Sequence, residues 1–294
     1  MLQKLGICKD ILISLRAHHY LKNLFIFLPA FFAFKISDPI ILSKTIYAFI
    51  SFSLTASGIY IFNDIVDSKR DSLHPKKKFR PIASGVISKK LALSISIFLL
   101  AFSFAISLKL DLMIFVLILF YVLLNISYSL ILKKFPLIDV CTIALGFVIR
   151  LFIGSIASNV YLSNWIVTLT FLLSLFLAFS KRRDDLVLNH SHETRESMKG
   201  YSLEFINSSM NILAAMTILS YILWSISPEV IARFNSDKIY LSSIFVILGV
   251  FRYLQHAYLH NDTGSPTKVL LKDVFLQITI ISWALSLYIV FYLF

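Results

Sequence analysis

Three aspartates, Asp64, Asp67 and Asp71, follow one another at intervals of three and four residues where a long apolar run ends. With 3.6 residues per turn, that spacing places all three carboxylates on one face of a helix. Like charges so placed repel one another unless a positive group sits among them. A divalent cation with oxygen ligands, most naturally Mg2+, answers that need. Mg2+ usually takes one or two carboxylates and completes its shell with substrate phosphates and waters. Asn63, directly before the first aspartate, is placed to orient Asp64 or a substrate. A solvated acidic helix end is the plainer alternative. Three acids in helical register at the end of an apolar run make the metal reading the more specific one.

Cations gather in the same neighbourhoods. Lys76, Lys77, Lys78 and Arg80 follow the acids, Lys133 and Lys134 follow Tyr128, and Lys181-Arg182-Arg183 precedes Asp184-Asp185. Arg grips phosphate in bidentate fashion and Lys as a compact charge. The set suits a diphosphate held by metal, with Lys133, Lys181, Arg182 and Arg80 as candidates for the remaining phosphate oxygens. Arg150 stands inside an apolar run, where a charge costs at least ~2.5–3.5 kcal/mol on insertion scales. It should face the protein interior and pair with an acid or a lipid phosphate. Lys22 is a phosphate ligand or a lysine reaching to the membrane interface. Tyr128 is a site residue or an interfacial aromatic. Asp139 either caps a helix or contacts a ribose or metal. His18, His19, His190, His192, His256 and His260 form no convincing metal set, although His256 and His260 stand four apart. Neither Gly-x-Gly-x-x-Gly nor a Walker motif is present. Cys8 and Cys141 lie in apolar surroundings and read as small core hydrophobes.

The elements that must position these residues are membrane helices. Of the 294 residues, 58% are hydrophobic and 15% charged, against about 25% charged in a soluble domain. So much apolar surface cannot be hidden in one water-facing fold. Apolar runs of spanning length fall at about 20–36, 41–63, 90–109, 112–132, 137–158, 164–180, 207–227, 239–259 and 274–294. The expectation is an all-α membrane protein, a bundle of about nine transmembrane helices forming one polytopic domain. Gly146 and Gly154 permit close helix packing. The first run has no small-residue cleavage pattern after it and reads as a span rather than a signal peptide. Twenty-two of the 28 Lys and Arg residues fall in the N-terminal region and alternate loops. That bias puts those loops in the cytoplasm and the C-terminus outside. The rule concerns Lys and Arg alone, so it leaves Asp64, Asp67, Asp71, Asp139, Asp184 and Asp185 on the same side to be explained by function.

The segment Asn63-Asp64-Ile65-Val66-Asp67-Ser68-Lys69-Arg70-Asp71 resembles the first Asp-rich motif of the UbiA-type polytopic prenyltransferases. Leu21-Lys22-Asn23-Leu24, the run from His74 to Gly85, Tyr128-Ser129 with Lys133, Ile138-Asp139, Gly146 to Arg150, and Lys181 to Leu186 are similar to the polyprenyl-phosphate phosphoribosyltransferases within that superfamily. The resemblance covers most of the chain. It implies a nine-helix bundle in which Mg2+ on Asp64, Asp67 and Asp71 holds a diphosphate at the cytoplasmic face. Loops about 64–89 and 181–205 would cap that site. It implies transfer of a 5-phosphoribosyl group from phosphoribosyl pyrophosphate (PRPP) to a polyprenyl phosphate in the plasma (inner) membrane, with release of pyrophosphate. Lys22 then becomes a phosphate ligand and Arg150 a holder of the lipid phosphate. Prenyl-transferring members carry a second pair of aspartates four apart. Here Lys181 stands four before Asp185, which favours a donor with an extra phosphate. A prenyltransferase joining a polyprenyl diphosphate to an aromatic acceptor is one alternative, and an ion-coupled transporter a second. No nucleic-acid partner is expected, and the sequence is compatible with a homo-oligomer.

Overall fold

The computed structural model describes residues 10–73, 77–187 and 196–293. Lys4, Cys8, Lys9, His74, Pro75, Lys76, His190, His192 and Arg195, together with parts of both expected capping loops, lie outside them. Among the described residues the chain is all helix and turn. It divides into two compact units, Met1–Leu162 and Ser163–Phe294.

In the first unit a 3-10 stretch, Ala17–Phe27, leads into a short helix α1 (Leu28–Phe32). Four long helices follow: α2 (Pro39–Leu73), α3 (Lys89–Leu110), α4 (Leu112–Leu130) and α5 (Ile138–Ser158). Local chemistry sets the breaks. Ser88 Oγ accepts the Leu91 N–H at 3.2 Å and starts α3. Asp111 alone separates α3 from α4, and its carboxylate caps α4 by accepting the Met113 N–H at 2.7 Å. The α2–α3 seam is built from small and hydroxylated residues. Ser51, Thr55 and Ser103 hydrogen-bond across it, and Ser96 donates to the Gly58 carbonyl at 2.8 Å. This is how helices approach closely when lipid offers no hydrophobic drive. Gly154 does the same for α5. A Cβ there would stand 2.0 Å from the Ile26 carbonyl oxygen, so only glycine lets the 3-10 stretch lie against that helix. Ile26, Phe52, Ile118 and Ile153 form a buried core beside that contact.

The second unit holds α6 (Asn164–Val187), α7 (Leu203–Ser225), a short α8 (Pro228–Phe234), α9 (Ser243–Gln255), α10 (Pro266–Lys272) and α11 (Val274–Leu293). α9 is extended into a longer span, Lys238–His260, by a 3-10 turn before it and a π-turn, His256–His260, after it. α10 and α11 meet at 87°. Asp273 makes the corner. Its carboxylate accepts the Leu276 N–H at 2.7 Å, capping α11, and is held by Arg252 Nη2 at 2.8 Å and His256 Nε2 at 2.9 Å.

Among the described residues, seven helices are long and apolar enough to cross a membrane, and the bent pair brings the number to eight if it counts as one span. Nine is therefore approximate. The first run, 20–36, is a 3-10 stretch followed by five residues of α-helix and is not among those seven or eight. Arg16 and Phe34 at positive φ close its two ends, Pro29 starts a fresh helix within it, and His18, His19, Lys22 and Asn23 interrupt its apolar face. The other eight runs match observed helices closely. Their outward faces expose Ile97, Phe98 and Phe102 on α3 and Ile212 and Leu219 on α7, surface that only a bilayer can solvate. The protein is a multi-pass membrane protein.

Candidate active site

One face of α2 carries polar residues for five turns: Ser53, Ser57, Tyr60, Asp64, Asp67 and Asp71. The segment before and within the 3-10 stretch runs along this face in the opposite direction and bonds to it. Asn23 donates to Ser53 Oγ at 2.9 Å, Tyr20 and Ser57 share a hydrogen bond of 2.8 Å, and Ser57 donates to the Leu15 carbonyl. Arg16 lies over the Tyr60 ring at 5.4 Å and reaches Asp64 Oδ1 at 2.5 Å.

The three aspartates are not equivalent. Asp64 and Asp71 are buried and turn toward each other. One nitrogen, Arg80 Nη1, lies 3.1 Å from Asp64 and 2.5 Å from Asp71. Asp67 faces elsewhere, toward Lys133 Nζ at 2.7 Å and Arg70 at 3.6 Å. The positive groups that the acidic face requires are thus side chains of the same unit. No group of three or more His, Cys, Asp or Glu among the described residues converges tightly enough to hold a metal unaided. Two carboxylates close enough to share one nitrogen are nevertheless the hard-oxygen pair that Mg2+ takes when phosphate and water complete its shell. Asn63 accepts a short hydrogen bond from Ser129 Oγ, which ties the motif to the end of α4. Tyr128 lies next to that residue on α4. Asp139 sits in the first turn of α5, fully buried, with Oδ1 accepting the Val140 N–H at 2.9 Å.

Arg150 departs from its expected partner. It is buried on α5, and no carboxylate among the described residues pairs with it. Its Nε donates to Asn23 Oδ1 at 2.9 Å and its Nη1 to the Gly146 carbonyl at 2.5 Å. Phe52, Phe147 and Tyr121 surround the guanidinium at 4.5, 5.2 and 5.4 Å. Rings and neutral acceptors stand where an acid was expected. Lys22, partly buried, lies within electrostatic range of Arg150 and Arg16.

In the second unit the run from Lys181 to Asp185 ends α6, and helical geometry splits it. Arg182 is fully buried and reaches Asp185 at 3.1 Å. Lys181 and Asp185 are partly exposed. Arg183 turns to Asn207, to Asn261 at 2.6 Å and to the Ala257 carbonyl, under the Tyr258 ring. Asp184 accepts from Thr263 Oγ1 at 2.9 Å and from the Gly264 N–H. Arg183 and Asp184 therefore brace α6 against the loop after α9. His256 lies between Asp262 and Asp273 at 3.0 and 2.9 Å.

Arg16, Asn23 and Tyr60 were not singled out by spacing alone. A signal for Tyr60 was present, since it precedes Asp64 by one turn on the same face. Asn23 stands in a segment that carries the family resemblance, but spacing gives neither it nor Arg16 a partner, since those lie thirty and forty-eight residues away.

The model of the UbiA prenyltransferase family matches residues 23–278. Decaprenyl-phosphate phosphoribosyltransferase of Mycobacterium tuberculosis is 26% identical over 83% of this chain and 80% of its own length. That of Corynebacterium glutamicum is 28% identical over 95% of this chain and 86% of its own. A UbiA homolog from Archaeoglobus fulgidus, solved bound to GPP and Mg2+, superposes with a TM-score of 0.70 at 19% identity, covering 94% of this chain and 98% of that one. That last likeness concerns the fold.

Proposed function

This chain belongs to the UbiA prenyltransferase family and is a membrane transferase, and from that premise we propose that it moves a 5-phosphoribosyl group from PRPP to a polyprenyl phosphate. The observation that carries the proposal is the contrast along one polar face. Two buried carboxylates, Asp64 and Asp71, converge at one end, while Lys22 and Arg150 lie nearby with no carboxylate of their own. A diphosphate with its metal needs the acids. The surplus cations suit a second phosphate, which PRPP and a lipid phosphate each bring. The names of the relatives support a phosphoribosyl group as the unit moved and a polyprenyl phosphate as its acceptor.

In this reading an oxygen of the lipid phosphate attacks the anomeric carbon of PRPP. The bond from that carbon to the pyrophosphate oxygen breaks, and pyrophosphate leaves with the electron pair. A divalent cation, as bound by the fold neighbour, would be held by Asp64 and Asp71 with Asp67 beside them, and would neutralise the departing charge. Arg16 and Arg80 fix those carboxylates. Asn63, anchored on Ser129, borders the diphosphate, and Lys133 reaches it past Asp67. Tyr128 and Asp139 are assigned to the ribose. The acceptor phosphate is already ionised, so placement matters more than proton removal. In the second unit, Lys181, Arg182 and Asp185 are assigned to phosphate recognition. The distribution of Lys and Arg supports a cytoplasmic active side in a plasma membrane.

The test is purified protein with Mg2+, labelled PRPP and a panel of prenyl phosphates. Label should pass to the lipid phosphate, and Lys181→Asp should weaken PRPP binding. Transfer only from a prenyl diphosphate to an aromatic acceptor would overturn the reading in favour of a prenyltransferase. Ion flux in vesicles without any transfer would overturn it in favour of a transporter.

A further inference from the structure

α10 and α11 meet at 87°, and the chain uses the two pieces differently. α11 has 20 residues, which at 1.5 Å per residue is about 30 Å, the thickness of the hydrocarbon core. It therefore crosses the bilayer without help, and its first residue, Val274, marks the boundary with the headgroups. α10 is not needed for the crossing. Nearly at a right angle to a spanning helix, its axis runs along the membrane plane at headgroup depth. The corner is held in that shape. Asp273 ties it to Arg252 and His256, and Gln277 Nε2 on α11 donates to the Leu270 carbonyl on α10 at 3.0 Å.

The sides of α10 divide by chemistry. Thr267 and Val269 are buried, and Lys268, Leu271 and Lys272 are exposed. Positions 268, 271 and 272 share one helix face, and at i,i+4 the two lysine Cβ atoms stand about 5–6 Å apart. The outward apolar surface continues from Leu271 through Val274 and Ile278 along α11, all of them exposed. Two ammonium groups thus rim a surface that lipid tails cover. No carboxylate among the described residues pairs with either lysine. Asp273, the next residue after Lys272, is buried and turned inward to Arg252 and His256, and Asp262 is turned to His256. The outward positive charge of this face is left without a counterpart in the protein.

We propose that Lys268, Leu271 and Lys272 form an interfacial contact for an anionic phospholipid of the leaflet on which α10 lies. The two lysines meet the headgroup phosphate, and Leu271 and Val274 meet the start of the acyl chains. Apolar area and charge act together on such a surface: the leucine sets the depth, and each lysine adds attraction to an anionic headgroup. A zwitterionic headgroup has no net charge to offer, so the face discriminates between the two. The contact does not depend on the transfer reaction proposed above, and failure of either leaves the other standing.

The experiment uses the full chain purified in a neutral detergent, with a fluorescent short-chain phosphatidylglycerol as probe and anisotropy as readout. Unlabelled phosphatidylglycerol, phosphatidylcholine and farnesyl phosphate serve as competitors. Wild type should bind phosphatidylglycerol in preference to phosphatidylcholine. Lys268→Gln and Lys272→Gln should each weaken binding about fivefold, and the double substitution about 30-fold, the contribution expected of one and of two lysines at an anionic surface. Replacing both by Arg should keep the affinity, since the contact uses their charge. Lys199→Gln, at an exposed lysine on the turn before α7 of the same unit, should change it by less than about twofold. All three lysines are exposed, so melting without lipid should be the same in every variant.

Equal affinity of wild type and the double glutamine variant overturns the contact. So does an equal loss in Lys199→Gln and Lys268→Gln, which would make the attraction a general effect of surface charge. Farnesyl phosphate that displaces the probe at far lower concentration than phosphatidylglycerol does, and only with both lysines present, also overturns it, because the face would then receive a prenyl phosphate rather than a bilayer lipid. A preference for phosphatidylglycerol that depends on Lys268 and Lys272 upholds it, whether or not the protein turns over PRPP.

Discussion

Replacing Arg80 by Gln tests whether the acidic face is built for a cation that shares oxygens with a guanidinium. Arg80 Nη1 is the group that Asp64 and Asp71 have in common, and Asp71 is 2% exposed with no other ion-pair partner among the described residues. Removing one member of a buried pair costs about 3–5 kcal/mol, because the remaining charge is stranded. Arg80 itself is about a third exposed, and Asp64 keeps Arg16, so the expected loss is smaller, about 2 kcal/mol. A divalent cation at the same oxygens would restore it, since a ligand at 100 times its Kd stabilises by about 2.7 kcal/mol. The assay is thermal unfolding of wild type and Arg80→Gln in detergent, with chelator and then across a Mg2+ titration. The variant should melt lower in chelator, respond to Mg2+ at lower concentration, and close most of the gap at saturation. Equal stabilisation of both proteins over one concentration range would refute the reasoning, because the guanidinium and the ion would then not compete for Asp64 and Asp71.

Two further predictions concern the same unit. Asp67→Asn should abolish turnover with little change in melting temperature, since Asp67 is partly exposed and its partners Lys133 and Arg70 can stay hydrated; near wild-type turnover would remove Asp67 from the metal site. Gly154→Ala should destabilise by about 1–3 kcal/mol or more, because the new methyl group meets the Ile26 carbonyl oxygen at 2.0 Å and the 3-10 stretch must shift. A melting temperature equal to wild type would show that this stretch is free to move.

Most of the fold could be read because membrane helices announce themselves by length and apolarity. Eight of nine expected runs lie on observed helices, and the break at Asp111 falls within the expected Lys109–Asp111 turn. The run at 20–36 is helical but not one continuous α-helix, for a clear reason. Hydropathy sums side chains over a window and ignores the backbone, whereas Arg16 and Phe34 at positive φ and Pro29 decide where a helix can run. The acidic motif was legible because i, i+3, i+7 spacing fixes a shared face whatever the tertiary structure. Its partners were not. Spacing could say that positive charge was needed among Asp64, Asp67 and Asp71, but Arg16, Arg80 and Lys133 reach them from three other segments. Arg150 illustrates the same limit. Its burial followed from the cost of charge in hydrocarbon, while its partners, Asn23 127 residues away and a ring of aromatics, are set by tertiary structure that spacing does not show.

The run Lys181-Arg182-Arg183-Asp184-Asp185 brings these strands together, since five adjacent charges look alike in sequence and differ in the fold. A helix rotates each residue about 100° from the last, so the run cannot present one face. Arg183 meets Asn207 on α7, and Asn261, the Ala257 carbonyl and the Tyr258 ring beyond α9. Those acceptors are neutral, and with the arginine gone they would be left buried without donors. Each hydrogen bond to a charged group is worth about 1.5–3 kcal/mol, and the three are not additive because one side chain makes them all. Arg183→Met should therefore lower stability by about 3 kcal/mol, whereas Lys181→Asp, at a partly exposed position, should change melting far less and PRPP affinity far more. Comparing the two variants by thermal unfolding and by PRPP binding separates bracing from recognition. If Arg183→Met melts like wild type and loses PRPP, the brace is in fact a phosphate ligand, and the division of this run between structure and site is wrong.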